Sequence, residues 1–197
     1  MEATQYLNAA DAAPYESLGP LDRTHRLTMS GILEVPVGRG RRFGASLPSV
    51  VDLFVGGWQL GGVVVRQSGA PLEFGNAIFT GDLKDIPLPK DERNVDRWFN
   101  TEAGFNRNSA QQLSANVRTF PLRFGNVRGD GRATWDFSAI KNVRLAGTTL
   151  QFRAEVYNLM NHANFNNPNT SPTSTAFGRI TSAGDARNWQ FSLKLKF

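Results

Sequence analysis

The sequence predicts an all-β fold, an antiparallel meander of about five to six strands, each long enough to cross a bilayer. Three observations predict it. The chain ends on a segment that alternates bulky apolar and polar residues; other segments do the same over similar lengths; and the connections between them alternate between short and long. Side chains of a strand point alternately to opposite faces, so strict alternation gives a strand two different surroundings.

Residues 1–7 come first and read as the tail of a partial strand. Residues 25–37 place Leu27, Met29, Gly31, Leu33, Val35 and Val37 on one side, and Arg26, Thr28, Ser30, Ile32 and Glu34 on the other. Pro36 has no N–H to give to a ladder, which assigns it to the strand's end. In residues 57–67, Trp58, Leu60 and Val64 form the outer face, with Val63 and Val65 blurring the other.

Residues 133–145 set Trp135, Phe137, Ala139, Val143 and Leu145 against Asp136, Ser138, Asn142 and Arg144, while Ile140 and Lys141 break the pattern. A lysine facing lipid costs about 2–4 kcal/mol at the bilayer midplane and little near an interface, so Lys141 belongs near a rim. Residues 148–160 are cleaner. Leu150, Phe152, Ala154, Val156 and Met160 oppose Gln151, Arg153, Glu155 and Tyr157, and only Asn158 offends on the apolar side.

Residues 187–197 close the set. Trp189, Phe191, Leu193, Leu195 and Phe197 form one face; Gln190, Ser192, Lys194 and Lys196 form the other. This length matches the 9–11 residues of a tilted transmembrane strand, although one such segment alone reads more readily as an amphipathic strand over a soluble core.

The connections supply an independent test, because bacterial barrels have short periplasmic turns and longer external loops. Counting back from a periplasmic C-terminus, residues 161–186 are a long external loop and Ala146-Gly147 a periplasmic turn. Residues 68–132 are a very long external loop, and residues 38–56 a periplasmic connection of about nineteen residues. The smallest membrane barrels need about eight strands, so the sequence reads as the C-terminal piece of a larger barrel.

Composition removes several alternatives. The 197 residues contain no Cys, which excludes disulfides, thiolate zinc sites and thiol catalysis; 19 Gly and 10 Pro indicate many turns. No run of about eighteen apolar residues offers a transmembrane helix. Residues 1–7 show neither the basic nor the apolar region of an export signal. The net charge of +5 is scattered along the chain apart from Arg39, Arg41 and Arg42, which argues against nucleic acid as a partner.

Chemical motifs are weak. His25 and His162 have no repeated ligand spacing, and the acidic stretch from Asp82 to Asp96 lacks the pattern of a calcium loop, so no metal or cofactor is expected. Gly38-Arg-Gly-Arg-Arg-Phe-Gly44 lacks phosphate-loop spacing and reads as a basic turn; Arg128-Gly-Asp130 reads as a turn rather than an adhesion signal. Asp136 and Glu155 share a face with Arg144 and Arg153, their expected partners, so no acid and base pair for an enzyme emerges.

Six ordered stretches carry a resemblance. These are DRTHRLTMSGILEVPVGRGRRF (22–43), GGWQLGGVVVRQSGAPLEF (56–74), VDRWFNTEAGF (95–105), FGNVRGDG (124–131), LQFRAEVYNLMNHANFNNPN (150–169) and FGRITSAGDARNWQFSLKLKF (177–197). The chain resembles the C-terminal barrel part of TonB-dependent outer-membrane receptors, closest to the Oar-like group that begins with a carboxypeptidase-regulatory-like domain. That resemblance implies a 22-stranded barrel with an N-terminal plug, active uptake of a substrate powered through TonB, and a C-terminal strand read by the barrel-assembly machinery. The export signal, regulatory-like domain, plug and TonB box have no counterpart in these residues, so the chain by itself is not expected to transport.

The expected site residues follow. Trp189, Phe191, Leu193, Leu195 and Phe197 should face lipid and carry the assembly signal; Leu150, Phe152, Ala154 and Val156 should face lipid on the penultimate strand. Arg153, Glu155, Tyr157, Gln190 and Lys194 should face the lumen. Trp98, Phe99 and Phe105 in the long loop are candidates for substrate contact, with anchoring of the loop to itself the favoured role. The expected partners are outer-membrane lipid, the assembly machinery and, through an N-terminal part, TonB, at the bacterial outer membrane. The competing functions are a structural or adhesive surface barrel and a soluble all-β carbohydrate-binding module.

Overall fold

The computed structural model describes residues 2–112, 117–145 and 147–197; Met1, residues 113–116 of the long predicted loop and Ala146 of the predicted turn lie outside them. In chain order the elements are β1 (Glu2–Gln5), β2 (Tyr15–Leu18), β3 (Arg26–Glu34), α1 (Ser49–Val55), β4 (Trp58–Gln67), β5 (Pro71–Glu73), β6 (Arg123–Arg128), β7 (Arg132–Leu145), β8 (Thr148–Tyr157) and β9 (Asn188–Lys196). They divide into two units.

One unit, residues 27–66, 133–163 and 185–197, is built on a five-stranded sheet in the order β3-β4-β7-β8-β9. Each strand pairs with the next of the five along the chain, as in a meander. Registers are regular: Phe137 opposes Val156, and the β7 to β8 pairing runs on to Leu145 opposite Thr148. From β8 to β9, Thr149 opposes Lys196 and Tyr157 opposes Asn188. The Val35 N–H donates to the Trp58 carbonyl at 2.9 Å, tying the end of β3 to the start of β4. β3 and β9 are the two edges, so the sheet is open.

Strand ends have local causes. β3 stops at Glu34, two residues before Pro36, which cannot extend a ladder. β8 stops at Tyr157 rather than at Met160, because Asn158 turns into the left-handed region at φ 52°. Asn tolerates that conformation better than most residues. The connection between β3 and β4 is not an open loop. Gly38, Gly40 and Gly44 have positive φ and shape its basic turn, after which α1 forms with Asp52 in its first turn.

The second unit comprises the described part of residues 1–26, 67–132 and 164–184. The segment expected as the tail of a transmembrane strand is here the four-residue β1, paired antiparallel with β2. Asn8 and Asp11 make the turn between them: the Asn8 N–H donates to Asp11 Oδ2 at 2.7 Å and the Asp11 N–H to the Asn8 carbonyl at 3.2 Å. β5 and β6 form a further two-stranded ladder.

The long connection holds a packed aromatic core. Phe74, Phe79, Phe99, Phe105, Phe120 and Phe177 are buried together with Leu72, Ile86 and Val127. Phe74 stacks on Phe105 at 5.1 Å and meets Phe99 edge-on at 5.3 Å. Fully burying such a side chain is worth about 1.5–3 kcal/mol. That is how a connection of this length stays ordered against its conformational entropy.

Candidate functional site

Within the sheet, registers sort side chains onto two faces. Leu150 opposes Leu195, Phe152 opposes Leu193, Ala154 opposes Phe191, and Val156 opposes both Phe137 and Trp189. This apolar face carries a run of rings: Trp58 meets Phe152 edge-on at 6.5 Å, Phe152 stacks on Phe191 at 6.4 Å, and Phe191 on Trp189 at 6.3 Å. Leu193 is 68% exposed and Phe197 98%. Val156 shares this register without sharing the exposure, since it is only 5% exposed between larger neighbours on β7 and β9. A soluble strand would hide such a face.

The other face is polar throughout its last strands. Gln151 opposes Lys194, Arg153 opposes Ser192, Glu155 opposes Gln190 and Tyr157 opposes Asn188. Arg153 and Glu155 form an ion pair at 3.5 Å, and Asp136 accepts from the Asn158 N–H at 2.8 Å. The carboxylates on this face therefore have partners.

A hollow lies in it, with Gly61 at its floor. Ser30, Ile32, Gly61, Val63, Asp136, Ser138, Glu155 and Tyr157 line a concavity of about 670 Å³, together with Phe137 and the backbone at Gly31 and Gly62, so its wall mixes polar and apolar side chains. A Cβ at Gly61 would lie 2.7 Å from Ser138 Oγ, while one at Gly62 would lie 3.3 Å from the Phe137 ring. Gly61 thus leaves space on the polar face, and Gly62 admits the Phe137 ring on the apolar face. The Gly-Gly pair was visible in the sequence, but only strand pairing shows what each glycine faces.

Lys141 shares the apolar register with Phe152. It is buried near the end of β7, where its ammonium donates to the Gly56 carbonyl and lies 5.5 Å from the centroid of the Trp58 ring. A cation over an aromatic face with a carbonyl acceptor is a satisfied charge. Sequence alternation marked Lys141 as an exception but not its partners, which come from a different connection.

In the other unit the three aromatic residues considered for substrate contact are committed to structure. Phe99 is 0% exposed and Phe105 is buried beside it, so neither ring can stack on a ligand. Trp98 donates its indole N–H to the Arg128 carbonyl at 2.7 Å. Arg128 in turn pairs with Asp22 at 2.6 Å, which ties down the Arg-Gly-Asp tripeptide. Gly69 is required beside it, because a Cβ there would lie 1.9 Å from the Gly129 carbonyl oxygen.

Arg118 organises the same core and had no signature in the sequence. Its guanidinium donates to the carbonyls of Phe74, Gly75, Phe120 and Pro121, and it lies 4.5 Å from the Phe120 ring centroid. Burial lowers its pKa from the usual arginine value, an effect opposed by Tyr15 and Glu73. The acidic stretch is likewise structural: Asp82 caps the turn at Leu83–Asp85 and Asp96 pairs with Arg179 at 2.6 Å.

No helix among the described residues is long and apolar enough to cross a membrane. Strands with one apolar, exposed face and one polar face are the other way across. Among known proteins, a family model described as an outer membrane beta barrel domain matches residues 2–190. Comparisons with curated proteins and with solved structures returned no match. The family match spans nearly the whole chain and agrees with the two-faced antiparallel sheet, so this chain belongs to the outer-membrane β-barrel domain family and resides in the bacterial outer membrane.

Proposed function

We propose that this chain is the C-terminal barrel portion of a TonB-dependent outer-membrane transporter of the Oar-like kind, which takes up a substrate through its lumen. The observation that supports transport best is the polar face of the sheet. It combines the ionisable side chains of Asp136, Arg153 and Glu155 with a hollow of about 670 Å³ walled by both polar and apolar groups, a surface suited to a solvated path or to an inserted plug. The ordered motifs quoted above support the finer family. In this reading lipid surrounds the apolar face, the assembly machinery reads the terminal strand, TonB acts through an N-terminal part, and the protein moves its substrate without catalysis.

The second reading, a structural surface barrel, draws on the external unit. Its phenylalanines face one another and leave few rings for a ligand. Two measurements separate the readings. The reading frame upstream of Met1 should encode a plug and a TonB box, and photo-crosslinking in cells should give an adduct between that box and TonB. A frame with neither feature, or a box that gives no adduct, overturns the transporter in favour of the surface barrel.

A further inference from the structure

We propose that α1, at the periplasmic end of the sheet, lies in the inner leaflet of the outer membrane and anchors that rim to phospholipid. No residue of α1 is buried. Val50 is 71% exposed and Phe54 70%, and Val51, Leu53 and Val55 are exposed beside them. A helix of two turns with such a surface has no reason to form in water, where isolated short helices are marginal.

Its polar residues are used inward. Asp52 accepts from the Arg39 N–H at 2.6 Å and Ser49 Oγ accepts from the Arg39 guanidinium at 2.7 Å, so the polar stripe is spent on the preceding turn. The apolar remainder is unpartnered.

The occupant follows from where the helix is pinned. Trp58, on the apolar face of β4, donates its indole N–H to the Phe54 carbonyl at 2.9 Å, and Lys141, on the apolar register of β7, holds the Gly56 carbonyl just after the helix. In an outer-membrane barrel, the reading of this sheet on which the inference rests, both residues belong to the lipid-facing surface and the exposed side of α1 continues it. The end is periplasmic because it also carries the two-residue β7 to β8 connection. A tryptophan and a lysine at a strand end mark the interfacial depth at which amphipathic helices bury an apolar face. In the basic turn before the helix Arg39 is hydrogen-bonded to Ser49 and Arg41 pairs with Glu34 at 3.3 Å, so Arg42 is the residue that matches the phosphates of that leaflet.

The chain contains no cysteine, so single-cysteine labelling tests the placement directly. Val50→Cys and Phe54→Cys variants of the full natural protein, in phosphatidylethanolamine and phosphatidylglycerol proteoliposomes, would carry an environment-sensitive fluorophore. Phe191→Cys reports the lipid belt and Asp91→Cys the water-exposed loop. The labels on α1 should be quenched by a nitroxide on the acyl chain near the glycerol more than by one at the chain terminus. They should also lose the iodide quenching seen at Asp91. Iodide quenching equal to that at Asp91 would place α1 in water and overturn the proposal. Protection from iodide without nitroxide quenching would mean that protein covers the helix, and overturns it too. Lipid quenching at Phe191 in the same preparations separates a failure of this inference from a failure of the barrel itself.

Discussion

Asn158 shows how one side chain can end a membrane strand. Its backbone enters the left-handed region at φ 52°, and its amide then holds both sides of the bend. Oδ1 accepts from the His162 N–H at 3.0 Å, while Nδ2 donates to the carbonyls of His162 at 2.9 Å and Asp185 at 3.1 Å. Asn158→Ala removes these bonds and also strains the backbone; Asn158→Gly removes the bonds alone. Unpaired buried groups cost about 1–3 kcal/mol, so both variants should lower the urea midpoint of the folded protein in detergent, alanine more than glycine. Equal, unchanged midpoints would mean that water replaces the amide. Lys141 makes a comparable prediction at the opposite strand end. Lys141→Met keeps the stem but leaves the Gly56 carbonyl without its donor, so backbone amides of residues 49–57 should exchange faster with deuterium while those of β8 keep their protection.

At the level of elements, the strands and the aromatic core of the other unit differ in how they are written. β8 and β9 were legible because one face is apolar and the other polar, and that contrast shows as a period of two. The core of the other unit has no such rule: Phe74, Phe79, Phe99, Phe105, Phe120 and Phe177 come at irregular intervals, since loop geometry rather than a repeating backbone brings them together. Arg118 was illegible for the same reason, because its acceptors are carbonyls, which any residue supplies. Phe99→Ala should cost about 3–5 kcal/mol in that unit, and Arg118→Met should cost a similar amount by orphaning carbonyls at Phe74 and Phe120. Both variants should be nicked by protease within residues 68–132 while the β8 and β9 amides stay protected from exchange. Loss of both together would show that the sheet depends on the aromatic core.

For the molecule as a whole, the assignment to the outer membrane rests on the family match over residues 2–190 and on the two-faced sheet that agrees with it. Both faces of β9 are open at this edge strand, so exposure does not tell them apart; an outer-membrane barrel makes lipid the expected environment of the register that carries Phe191 and Leu193. Adjacent residues of β9 therefore give a clean contrast. Leu193 opposes Phe152 on the apolar face, and Ser192 opposes Arg153 on the polar one. Near the bilayer midplane an outward arginine costs about 2–4 kcal/mol, whereas a lumen-facing one meets water. Leu193→Arg should thus reduce the folded, heat-modifiable form recovered from outer membranes and lower its unfolding midpoint in lipid vesicles. Ser192→Arg adds the same charge one residue away, at some cost from repulsion by Arg153, and should assemble close to the parent level. If Ser192→Arg were the more damaging of the two, the faces would be reversed and the sheet would turn its aromatic side to the lumen.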